Sequence, residues 1–75
     1  MGKMNDLCLL DLEGERKILN PSRVVSVVVN SSKMFVSCFL PEGDVVVINR
    51  KCYSHLLKVL DKLEQWGLNC PVSFQ

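Results

Sequence analysis

The chain predicts an α+β domain: an antiparallel β-meander of about five short strands, then one C-terminal amphipathic helix. Three observations lead there. Between Arg23 and Asn49 lie three apolar runs, Val24 to Val29, Met34 to Leu40 and Val45 to Ile48. They are rich in β-branched residues and bounded by polar turn residues, as hairpin strands are. After Asn49 the apolar spacing changes from two residues to the helical i, i+3, i+4, i+7. At 75 residues, 48% of them apolar, the chain suits a single small domain.

Leu7 to Leu12 reads as the first strand, and Glu13-Gly14-Glu15 turns it into a short second strand, Arg16 to Leu19. Asn20-Pro21-Ser22 interrupts the sheet, because proline lacks the N–H a ladder needs. The turns Asn30-Ser31-Ser32-Lys33 and Pro41-Glu42-Gly43-Asp44 separate the next three strands. From Arg50 to Trp66, Tyr53, Leu56, Leu57, Leu60 and Leu63 form an apolar stripe, widened by Cys52, Val59 and Trp66. Asn49 is placed to cap its start and Gly67 its end. Pro71 confines the tail Leu68 to Phe74 to a sheet edge or to no strand. There is no internal repeat and no low-complexity segment.

Register sorts the side chains. If Val29 stands opposite Met34 and Leu40 opposite Val45, one face collects Val25, Val27, Val29, Met34, Val36, Cys38, Leu40, Val45 and Val47. This apolar face is assigned to the core under the helix. The other collects Val24, Ser26, Val28, Phe35, Ser37, Phe39, Val46 and Ile48. A sheet with one wet face alternates apolar and polar residues, and this one does not. One helix about 10 Å wide covers one face of a small sheet, not two. Val24, Val28, Phe35, Phe39, Val46 and Ile48 are therefore expected to bind a second copy or a protein partner.

Nine basic and eight acidic residues leave a net charge of +1, so composition alone gives no nucleic-acid footprint. No run of eighteen apolar residues is present, and no membrane partner is expected. The opening MGKMND has no apolar signal-peptide region. Residues 1–5 read as disordered or as an added leader. Cys8, Cys38, Cys52 and Cys70 are then expected as reduced thiols in a cytoplasmic protein.

Cys52 and His55, one helical turn apart, are the only close Cys/His pair. A Cys-His dyad would activate a thiolate, and with Cys70 the pair would offer three zinc ligands. There is no CxxC, no second histidine and no triad context, so a solvated histidine beside a buried thiol is the expectation. No catalytic, cofactor or metal site is assigned. Arg50 and Lys51 open the helix against its macrodipole, a placement that invites an anion. Arg16, Lys17 and Arg23 extend a weak basic rim for an alternative role in nucleic-acid binding.

Leu12, Gly14, Leu19, Asn20, Val24 and Val27 match the Leu-x-Gly, Leu-Asn and alternating apolar pattern of small flagellar FlbD-type proteins. The run LEGERKILNPSRVVSV resembles the opening of that family, which continues with a hairpin and ends in a helix. The stretch from NPSRVVSV through FLPEGDVVVINRKCYSHLLKVL resembles the front part of LytTR-type DNA-binding domains. That second resemblance implies a hairpin with an acidic-Gly turn, an Arg-led helix and a regulatory role on DNA. The residues themselves point first to a non-enzymatic interaction or regulatory module that dimerises or binds a protein.

Overall fold

The computed structural model describes residues 6–75, so the expectation for residues 1–5 lies outside the described part. Two hairpins built on the same turn frame the fold. Strands β1 (Leu7–Leu10) and β2 (Arg16–Leu19) pair antiparallel as a two-stranded ribbon. A short 3-10 turn, Pro21–Arg23, leads to β3 (Ser26–Asn30), β4 (Phe35–Phe39) and β5 (Val45–Asn49). Helix α1 (Tyr53–Gln65) follows, then β6 (Val72–Phe74). The larger sheet has the order β5-β4-β3-β6. The antiparallel meander and the single late helix match expectation. The tail is an edge strand and runs parallel to β3, which makes this sheet mixed. Pro71 stands just before β6 and costs the ladder no donor.

Glycine geometry decides which side chains face inward. In the second hairpin Gly43 N–H donates to Leu40 O and Leu40 N–H donates to Asp44 O, with Gly43 at φ +91°. Leu40 thus faces two residues, a bulge that needs a left-handed glycine. The pairing becomes Phe39 opposite Val45 rather than Leu40 opposite Val45. That one-residue slip turns Val46 and Ile48 inward and Val45 and Val47 outward, correcting the expected faces. The β3–β4 turn also differs, pairing Asn30 with Phe35 across Ser31–Met34. This shift is two residues, so β3 and β4 keep their expected faces. A second irregularity sits at the start of β3. Val25 N–H donates to Phe39 O, while Ser26 is the residue paired with Phe39. Alternation breaks there, so Val24 turns inward and Val25 outward.

The core joins the inner sheet face (Val27, Val29, Val36, Cys38, Ile48) to Leu56, Val59, Leu60 and Leu63 of α1. Leu7, Leu9 and Leu19 of the first hairpin and Val24 complete it. Tyr53 and Leu57 are exposed, so the buried stripe is rotated toward Val59, the flank that meets β1. Cys52, not Asn49, is the helix N-cap, because Asn49 is still paired with Phe35 in β5. At the other end Gly67, φ +109°, donates to Glu64 O, and Leu68 N–H donates to Leu63 O over 3.0 Å. Those two bonds form a Schellman closure, with Leu68 folded against the core.

Candidate interaction face

Strand alternation sets Ser26, Val28, Asn30, Phe35, Ser37, Phe39, Val45, Val47 and Asn49 on the sheet face away from α1. Apolar residues surround Ser37, which stands at its middle and is buried. Val28 lies opposite Ser37, Ser37 opposite Val47, and Phe39 opposite Val45. Phe35 and Phe39 stand four residues apart on the same side of β4, flanking Ser37. Phe39 is 39% exposed and Val45 48% exposed, whereas Ile48 and Val24, at 0% and 3%, are interior. Val46 also packs against the core. Of the six residues expected at an interface, Val28, Phe35 and Phe39 therefore lie on this face, and Val24, Val46 and Ile48 do not. Val45 and Val47 take the places of Val46 and Ile48. Only the Gly43 bulge separates the two sets, and a turn read as PEGD could have revealed it, since glycine third in a turn before an acidic residue suits that geometry. Val25, at 51% exposure, adds to the rim.

The basic residues do not gather into one rim. Arg23 forms an ion pair with Glu42, at the end of the sheet where Asn20 and Leu40 lie. Lys17 lies 3.5 Å from Glu15. Arg16 and Lys51 are exposed on separate elements. Arg50 sits at the opposite end of the sheet, where its Nη1 donates to Asn49 O (2.8 Å) and to Leu10 O. These contacts tie the first hairpin to the end of β5.

The thiols occupy contrasting settings. Burial in the core, with the Cys70 thiol as a second influence, pushes Cys38 up to about 12. Cys38 and Cys70 are both free thiols. Cys52 is the opposite case. Its sulfur lies 3.2 Å from the Ser54 hydroxyl, and that contact, with the His55 and Ser54 N–H groups and Lys58, holds the thiol below its ordinary value. The His55 N–H also meets Cys52 O. Among the described residues no group of three His, Cys, Asp or Glu side chains converges as a metal site. Among the same residues no helix is long and apolar enough to cross a membrane. Neither a family model, nor a curated protein, nor a solved structure matches the chain.

Proposed function

We propose that this protein is a non-enzymatic interaction module that self-associates by stacking the outer face of its larger sheet on that of a second copy. The supporting observation is the row Phe35, Phe39, Val28, Val45 and Val47 on the sheet face away from α1, with Phe39 and Val45 exposed. Such a row is expensive to leave in water and suits sheet-on-sheet packing at about 10 Å.

Size sets the strength of the contact. Four strands about 4.8 Å apart and five residues of about 3.4 Å rise make a face of roughly 300 Å² in projection. Two copies then bury on the order of 600–800 Å², below the roughly 1,200 Å² of a stable interface. At about 25 cal/mol per Å² the gross gain is roughly 15–20 kcal/mol. Loss of rigid-body freedom costs about 4–15 kcal/mol of that. The surplus spans from almost nothing to enough for tight binding, so the small area decides for a reversible contact, to be sought from micromolar to millimolar concentration. Val25, exposed just before β3, provides extra area.

Sedimentation equilibrium across that concentration range tests the reading. Wild type should shift from monomer to dimer, and Phe39→Asp should remain monomeric with unchanged circular dichroism. A second variant, Val45→Lys, guards against a folding defect confined to Phe39. A wild-type chain that stays strictly monomeric at millimolar concentration would sink the proposal.

A further inference from the structure

We infer that the cleft between β1 and α1 binds a ligand carrying two adjacent phosphate groups. The cleft has a volume of about 300 Å³ and is lined by Leu9, Arg50, His55, Lys58, Val59 and Lys62. Every titratable side chain in that lining is a cation or a histidine. His55, Lys58 and Lys62 fall at i, i+3 and i+7 of α1 and so share one face of it. Leu9 and Val59, both buried, form an apolar floor. This concentration of charge is unexpected in a chain whose net charge is +1.

No acid among the described residues pairs with it. Among the described residues the ion pairs are Lys17–Glu15 and Arg23–Glu42, and neither involves the cleft. Asp61, the nearest acid along the helix, accepts from Gln65 Nε2 at 3.3 Å. Lys58 and Lys62 are like charges at i, i+4, an arrangement that opposes helix formation unless an anion neutralises it. Arg50 is held at the cleft by the carbonyls of Leu10 and Asn49, so its guanidinium is oriented before any ligand arrives. The cluster of cations defines the chemistry of the ligand. Side chains one turn apart start about 5–6 Å from each other at Cβ, and flexible lysine stems can converge from there on two phosphates joined by one oxygen or spread to consecutive phosphates of a strand. A nucleoside diphosphate and consecutive phosphates of a single nucleic-acid strand both carry that chemistry.

Titration of the full chain with inorganic pyrophosphate, ADP and a short oligothymidylate, followed through backbone amide NMR shifts, tests the site. The expected result is saturable shifts centred on Leu9, His55, Val59 and Lys62, weakened by salt. The double variant Lys58→Gln/Lys62→Gln should lose roughly tenfold or more in affinity, since charge-assisted contacts are the strong ones. Both side chains are exposed, so the fold should survive, as an unchanged spectrum outside the cleft would verify. Comparable binding of ADP and pyrophosphate, with no gain for the oligonucleotide, identifies a small diphosphate. Tighter oligonucleotide binding, with a salt slope that falls by roughly 0.7 per lysine removed, identifies a strand. Absence of shifts at millimolar concentrations of all three probes overturns the inference, and so does binding that the double variant leaves intact.

Discussion

The two hairpins of this protein share a turn and differ in what surrounds it. Asp11-Leu12-Glu13-Gly14-Glu15 and Leu40-Pro41-Glu42-Gly43-Asp44 close in the same way. The glycine N–H donates to the first residue's carbonyl, the first residue's N–H donates to the fifth's carbonyl, and both glycines have positive φ. Inward positions correspond too, at an offset of 29 residues: Leu7 with Val36, Leu9 with Cys38, Leu19 with Ile48. Yet β4 is a central strand with neighbours on both sides, while β1 and β2 pair only with each other. Asp11 Oδ1 braces the first turn by accepting from the N–H groups of Glu13 and Glu15, a bond that Leu40 cannot make. Local chemistry thus sets the shape of each hairpin, and its neighbours set how firmly it is held. A ribbon of two strands is marginal by itself. The first hairpin depends on Leu7, Leu9 and Leu19 in the core and on the Arg50 bond to Leu10 O.

The strongest way to break this comparison is to empty equivalent core positions. Leu19→Ala and Ile48→Ala each remove a buried side chain, and each should cost about 2–5 kcal/mol in denaturant unfolding. Their amide-exchange patterns should differ. Ile48→Ala should lower protection throughout β3, β4 and β5, because it weakens the unit that sets global stability. Leu19→Ala should release β1 and β2 selectively while β4 amides stay protected. Equal loss of protection in both hairpins after Leu19→Ala would show one cooperative unit and remove the distinction.

Much of this fold was legible in the sequence, and the gaps have physical causes. Short β-branched runs and a change of period located β3, β4, β5 and α1, because propensity and periodicity are local signals, while the tail reads as an edge strand or as no strand. The faces of β3 and β4 followed as well, since a two-residue error in their turn preserves parity. The face of β5 did not follow. Gly43 adds one residue to one side of a ladder, and a single residue exchanges Val45 and Val47 with Val46 and Ile48. Val24 was misplaced for a similar reason, a local two-against-one pairing at Val25 and Ser26. The basic cleft was invisible for a different reason. Its cations share a helix face, but only the packing of β1 against α1, a tertiary contact, turns that face into the wall of a cleft.

A smaller effect separates the hairpins by pH. Cys38 in the second hairpin occupies the place of Leu9 in the first, and burial pushes its thiol up to about 12. A folded-state value above the ordinary thiol range favours the neutral, folded form below about pH 9. That contribution is lost as pH rises from there toward 12, at about 1.4 kcal/mol per pH unit. Urea unfolding at successive pH values should show this alkaline decline, and Cys38→Val should flatten it. A Cys38→Val variant with an unaltered slope would place the titrating group elsewhere.

The smallest expected difference lies in the turns. Glu42 pairs with Arg23, linking the second turn to the 3-10 segment, while its counterpart Glu13 has no ion pair among the described residues. Both partners of the pair are more than half exposed, at 55% and 52%, so solvent and salt screen the attraction. Glu42→Gln should therefore cost about 0.2–1 kcal/mol at low salt and nothing measurable in 1 M salt. Glu13→Gln should stay near zero in both, which makes it the internal control for changing a glutamate in the same turn. Chemical denaturation of the two variants at two salt concentrations reads the difference. Were Glu13→Gln to cost as much as Glu42→Gln, the cause would be the turn itself rather than Arg23, and the second hairpin would owe its firmness to its neighbouring strands alone.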